Sequence, residues 1–410
     1  MTNGEQNQAD NGDPGLTGAQ KMTLAACAMA VILVTMDFTA MDVVITPIEK
    51  DLDSDLSTIQ WVVNGYFLAF AAFMVTGGRL ADIFGRRRIL LIGLTGFAVF
   101  SLVGGIAQSA GWLIGARGLQ GVGAALLWPT AMGIAFASVP GSRKATAMGL
   151  IIGAAGVGTA VGPALGGLFG ELVSWRLILF FNVPVAALAG LIAVRHVASD
   201  PGEEGEHKLD YAGIVFIAGA LIALLLAIDQ SSTWGWGDPR VIGLLALSAI
   251  FAMALWFAES RVDEPLLPKD VVKNRKFLVP AIVAGTMGAA LFISMFYVPQ
   301  FFEKFKDWST LAAGAGSLPL TIAVAVSAVF AGSAYRRLGA KPLVAGGAFA
   351  VGIGALIVAL VDEGTSYAVI VPGLILMGIG LGFGLSSANT AAVGSTPPNR
   401  SAVASGVAYM

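Results

Sequence analysis

The sequence predicts an all-α polytopic membrane protein, and three observations carry that prediction. Hydrophobic residues supply 56% of the 410 positions and charged residues only 12%, against roughly 25% charged in a soluble chain. Apolar runs recur along the whole length, each near the ~20 residues that a helix needs to cross a bilayer. None shows the ten-residue alternation of an outer-membrane strand, which excludes a β-barrel. A net charge of −2 gives nucleic acid nothing to bind. The single cysteine, Cys27, excludes an internal disulfide, and two histidines offer no metal cluster. No metal or organic cofactor is expected, and the chain is expected to act as a monomer.

Taken in order, helices are expected at about 23–48, 59–81, 89–107, 112–139, 146–169, 176–194, 211–229, 240–258, 277–302, 309–332, 342–360 and 367–391. A thirteenth run opens near Ala402 and stops at Met410. Residues 1–21 carry Glu5, Asp10 and Asp13 before Lys21 and lack the basic start and cleavage site of a secretory signal. They are expected to be a disordered cytoplasmic tail ahead of an anchored first helix. Lys and Arg sort by side. Eighteen of the 24 fall on one face, among them Arg79, Arg86, Arg87, Arg88, Arg336 and Arg337, and five on the other, leaving Arg117 inside a helix. That bias puts the N-terminus, and the loop after every even-numbered helix, in the cytoplasm of a cell carrying this protein in its cytoplasmic (inner) membrane.

The loop between helices 2 and 3 reads Gly77-Gly78-Arg79-Leu80-Ala81-Asp82-Ile83-Phe84-Gly85-Arg86-Arg87-Arg88. A tight turn wants glycine for its backbone conformation and for close helix approach. Asp82, at the end of helix 2, can engage the positive N-terminal end of another helix. Helix 4 contains Leu113-x-x-x-Arg117-x-x-Gln120-Gly121. An arginine inside an apolar run is costly and marks a functional site by default, and Gln120 at i+3 shares its face. Helix 5 holds Gly149, Gly158, Gly162-Pro163 and Gly166-Gly167. Gly158, Gly162 and Gly166 recur at i, i+4 and i+8, a smooth stripe for another helix, and Pro163 removes a backbone hydrogen bond. Helix 6 opens with Trp175-Arg176 and continues to Asn182-Val183-Pro184.

Together these residues resemble the major facilitator superfamily, specifically its fourteen-helix drug:proton antiporter family. The 2–3 loop, with Gly78, Asp82, Gly85, Arg86 and Arg87, is similar to the superfamily's cytoplasmic gate motif, and Arg117 with Gln120 to its proton-transfer motif. The helix 5 spacing is similar to the antiporter motif, and Trp175-Arg176 with Asn182-x-Pro184 to the start of helix 6 in the fourteen-helix branch. Met36-Asp37-x-Thr39, Trp61 and Tyr66 fit the same branch. The chain departs from it in having Asp42 where asparagine is usual and in Pro47 falling one residue late. The 2–3 loop has a counterpart in Gly332-x-x-x-Arg336-Arg337-x-Gly339-x-Lys341, between helices 10 and 11. The resemblance therefore implies an N-terminal six-helix bundle over 22–194 and a linker with two inserted helices over 195–276. A C-terminal bundle over 277–410 follows, cut early in its fifth helix. Residues 261–268, Arg261 to Pro268, are similar to that branch's connector, and Gly202 to Glu206 reads as a solvated linker.

Three charges are expected well inside the spans: Asp37, Asp42 and Arg117. At ~1.5 Å per residue, Asp42 and Arg117 lie at about the same depth and are expected to pair, with Asp37 deeper and about 140° around helix 1. Asp37 is then the expected proton site, with Asp42 held ionised. Trp61, Tyr66, Phe292, Met295 and Tyr297 are candidate cavity-wall residues that could hold a lipophilic cation. The resemblance implies proton-driven export of small molecules, with substrate, protons and lipid as the only partners. A symporter or uniporter for a metabolite, and a non-transporting fragment, are the alternatives. No nucleophile constellation points to an enzyme.

Overall fold

Inside a bilayer no water satisfies backbone N–H and C=O groups, so each spanning segment must pair its own, which leaves helices. The computed structural model describes residues 15–200, 211–259, 274–308, 310–362 and 364–396, and no strand occurs among them. Twelve helices among the described residues are long and apolar enough to cross a membrane. They are α1 (Gly18–Val43), α2 (Leu56–Phe84), α3 (Arg86–Gly105), α4 (Ala110–Ala137), α5 (Lys144–Leu172) and α6 (Arg176–His196). There follow α7 (Tyr211–Trp234), α8 (Pro239–Glu259), α9 (Arg275–Lys304), α10 (Leu318–Leu338), α11 (Ala340–Ala359) and α12 (Tyr367–Gly394).

The boundaries differ from expectation where local chemistry intervenes. The tail expected to be disordered through residue 21 gives way sooner, because Thr17 and Gln20 form a reciprocal capping box that starts α1 at Gly18. Helix 1 does not run to residue 48. Pro47 cannot donate to the carbonyl four residues back, and the chain turns at Val44 into a short helix, Ile45–Asp51. Helix 10 is likewise interrupted at Ser317, between Thr310–Gly316 and α10, with Pro319 in the first turn of the longer piece. Residues 1–14, Gly202 to Glu206, the 261–268 connector and the run opening at Ala402 lie outside the described residues.

The two halves reuse one packing scheme. In the first, α1, α2 and α3 each lie on α4; in the second, α9, α10 and α11 each lie on α12. The α2–α3 and α10–α11 turns share a left-handed glycine, Gly85 at φ 90° and Gly339 at φ 77°, a conformation that costs other residues about 1–2 kcal/mol. Between the halves, α7 and α8 pair with each other and α7 rests on α2 through Val75 and Ile217. The outer helix of this pair, α8, turns Ile250, Met253 and Trp256 outward.

The halves meet along α5, which packs on α1 within its own bundle and on α10 and α12 across the divide. Its glycines make both contacts possible. A Cβ on Gly158, Gly162 or Gly166 would stand 2.7, 2.7 or 2.6 Å from the carbonyl oxygen of Ile32, Met36 or Ala40 on α1. Gly149 is pressed in the same way against Ala328 of α10, whereas Gly167 faces open space and Pro163 sits within a continuous helix. One glycine series thus serves two seams.

On the face opposite the arginine-rich turns, Asp51 ties three loops together. It accepts hydrogen bonds from Arg176 and from Trp175 Nε1 (3.1 Å), while Arg176 lies over the Trp175 ring and donates to the Ala107 carbonyl (2.6 Å). The Arg176 hydrogen bond, ahead of the others, holds the Asp51 carboxyl below the usual carboxylate range.

Two outcomes follow from this packing. Gly162→Ala should lower the stability of the detergent-solubilised protein by about 1–3 kcal/mol, and Gly167→Ala should leave it unchanged within error, both read by chemical denaturation. Because the Asp51 pKa is depressed on folding, its contribution should be complete above about pH 4 and fade as pH falls further. Asp51→Asn should therefore flatten the acid limb of a stability–pH profile, measured against the unaltered chain.

Candidate functional site

Charge inside the first bundle is concentrated in one sealed network. Arg117 Nη1 on α4 donates to Asp37 Oδ2 on α1 at 2.5 Å and to Gln120 Oε1 at 2.7 Å, and Arg117 Nε donates to the Val62 carbonyl at 3.2 Å. Asp37 Oδ1 accepts from Asn182 Nδ2 on α6 (2.5 Å) and from Gln120 Nε2 (3.2 Å). Gln120 Nε2 and Asn182 Nδ2 also donate to Ser101 Oγ on α3, at 2.8 and 3.0 Å respectively. Tyr66 of α2 lies under the guanidinium, its ring centroid 4.3 Å from Cζ. Asp37, Ser101, Arg117, Gln120 and Asn182 are all fully buried. In so dry a setting a charge pair depends on further hydrogen bonds; Asp37 receives three N–H groups, while Arg117 Nη2 and Asn182 Oδ1 are buried without a partner.

This arrangement corrects the expected pairing. The salt bridge belongs to Asp37, not Asp42. The reason lies in the rotation of α1. Ile32, Met36 and Ala40 face the α5 glycine stripe, and at 100° per residue that seam falls between the two acids. Asp37 is thereby turned toward α4 and α6, and Asp42 toward the other side. Tyr66 is likewise no cavity wall, being buried beneath Arg117.

Asp42 lines an open cavity of about 610 Å³. The walls come from α1 (Phe38), α2 (Gln60, Asn64, Phe67), α7 (Asp229, Ser232) and α9 (Phe292, Tyr297). An adjoining cavity of about 430 Å³ runs along α2 past Trp61, Phe70 and Met74 to Leu225 of α7. The two share Asn64, Phe67, Asp229 and Phe292. Trp61, Phe292 and Tyr297 therefore stand where cavity walls were expected, whereas Met295 packs against the apolar core and lines neither space. Asp229 was missed. Helix 7 was expected to end at residue 229, but α7 runs to Trp234 and carries this carboxylate a turn and more inside the helix. Ser101 carried no signal of its own, and Asn182 stood out only as part of the helix 6 pattern.

The α2–α3 turn is a separate cluster. Asp82 Oδ1 accepts from Arg86 Nε (3.1 Å) and Nη2 (2.9 Å), joining the last turn of α2 to the first residue of α3, and both side chains are buried. Gly78 is buried within α2, Gly85 makes the left-handed turn, and Arg87 donates to the Val194 carbonyl near the end of α6. No group of three or more His, Cys, Asp or Glu side chains that could hold a metal occurs among the described residues.

Truncating one partner of the sealed pair leaves the other charged and dry. Arg117→Met should cost about 3–5 kcal/mol, and adding Asp37→Asn to it should recover part of that loss. A double-mutant cycle on denaturant unfolding of the solubilised protein measures both.

Comparison with known proteins now gives this geometry a family. The chain is 34% identical over 334 residues to the tetracenomycin C resistance and export protein of Streptomyces glaucescens, covering 81% of this chain and 62% of that protein. It is 34% identical over 390 residues to a puromycin resistance protein of Streptomyces alboniger, covering 94% of this chain and 77% of that one. The chain thus spans less than two thirds of the length of the first of these relatives. A proton:xylose symporter of solved structure superposes with a TM-score of 0.66 at 12% identity, covering 95% of this chain and 85% of that one, a likeness of fold. The Major Facilitator Superfamily model matches residues 27–410, and the chain belongs to that superfamily of membrane transporters.

Proposed function

We propose that this chain is the greater part of a proton-coupled antiporter that exports drug-like, lipophilic compounds, cationic ones included, by alternating access. The observation that carries the reading is the pair of acids on α1. Asp37 is sealed against Arg117, while Asp42, half-buried, lines a cavity walled by aromatic rings between the first bundle and α7 and α9. A coupling acid must exchange protons with water and meet substrate, and only Asp42 of the two has that access. The resistance and export roles named for the two Streptomyces relatives support the direction of transport.

In this mechanism Asp42 takes a proton from the outer side, which lowers the negative charge of the cavity and loosens a bound cation. The halves then tilt about the α5 seams, where glycine stripes let helices shift without interlocking side chains. Release of the proton inside resets the carrier, and each inward proton contributes ~2.3 kcal/mol per 100 mV of membrane potential. Asp37 remains paired with Arg117 and keeps it in place. The arginine-rich turns sit on the cytoplasmic side of the cell membrane, with the N-terminus inside. The second bundle begins at α9, with α7 and α8 as an inserted pair.

In reconstituted vesicles, imposing an inside-acid gradient should drive counter-movement of substrate. Asp42→Asn should reduce that coupled flux at least about tenfold, the scale of one lost proton-transfer step. Coupled flux that survives in Asp42→Asn would remove Asp42 from the mechanism, and substrate that moves with the protons would mark a symporter.

A further inference from the structure

We propose that Asp229, on the inserted helix α7, is the residue that reads substrate charge in this cavity. It would grip the cationic nitrogen of an amphipathic organic cation whose planar apolar part lies in the adjoining cavity. The inference rests on the transport reading above and assigns to α7 a role in selectivity that the proton-exchanging acid Asp42 does not fill. Asp229 is the one carboxylate lining both cavities, at the junction where their walls are common. Asn64 of α2 donates to its Oδ1 at 3.1 Å, which orients the carboxylate toward that junction from the helix α7 rests on.

The surroundings are of one sign. No lysine, arginine or histidine lines either cavity among the described residues, and Arg117 lies behind them, neutralised by Asp37. A carboxylate on an otherwise apolar spanning helix is costly unless it faces a partner or a cavity; Asp229 has Asn64 as a partner and borders both cavities. Phe67 and Phe292 flank the junction and Trp61 lies beyond it, giving a cation and its flat body π-faces to rest on. One end of such a ligand meets charge, the other meets Met74 and Leu225.

Binding of ethidium, a planar permanent cation, to the full chain in lipid nanodiscs tests this by fluorescence titration. Asp229→Asn should raise the ethidium Kd about fivefold, the upper scale for losing one ion pair at an open site, and Asp229→Glu should restore most of it. The ratio of ethidium to chloramphenicol efflux from vesicles should fall with Asp229→Asn and recover with Asp229→Glu. An unchanged Kd in Asp229→Asn, equal weakening by both variants, or no ethidium binding by the unaltered chain would overturn the assignment. Asp229-dependent binding without proton-driven efflux would instead overturn the transport reading and leave this one standing.

Discussion

A fully dehydrated ion pair between Asp37 and Arg117 organises the first bundle. Neither charge tolerates hydrocarbon alone, so the helices that carry them and the helices that supply hydrogen bonds to them must come together in one arrangement. Asp37 on α1 and Arg117 on α4 draw in Asn182 of α6, Ser101 of α3 and the Val62 carbonyl and Tyr66 ring of α2. Five of the six helices of that bundle thus meet at one point. The sixth, α5, bears no charge there and is free to serve as the contact surface with the second half.

That division of labour has a functional consequence. A charge pair that holds a bundle together is poorly placed to release protons, because breaking it strands its partner. The chain instead carries a further acid, Asp42, at the cavity, five residues along the same helix. In the proposed mechanism, structure and exchange fall to separate carboxylates. Their opposite orientations are enforced by the close α1–α5 approach at Gly158, Gly162 and Gly166, which fixes the rotation of α1. The α5 glycine series is therefore tied to the charged site as well as to the seam.

Of the inserted pair, α8 is the more exposed helix, with fewer buried residues than α7. The pair contacts the rest of the protein chiefly through α7, by apolar packing near Val75, which Leu255 of α8 joins, and by the Asn64–Asp229 hydrogen bond. A helix that packs on α2 and borders the cavity can contribute chemistry without being part of the frame.

The class of protein, the spans, the even turns and the positions of the gate, helix 4 and helix 5 motifs were legible in the amino-acid sequence. The bilayer makes them local properties: each helix satisfies its own backbone, and each glycine or proline acts on its own turn. Breaks at Val44 and Ser317 could be blurred but not hidden, since Pro47 and Pro319 stand beside them. Which acid Arg117 would meet was not local. Matching depth favoured Asp42, yet depth says nothing of rotation, and rotation is set by the glycine stripe on α5, more than a hundred residues away. Asp229 was hidden for a related reason, because a carboxylate near a helix end reads as a boundary until the neighbouring α2 supplies Asn64. The sequence by itself determined that two acids on α1 and one arginine on α4 lie in the membrane. Only tertiary packing decided which of the acids is sealed and which faces the cavity.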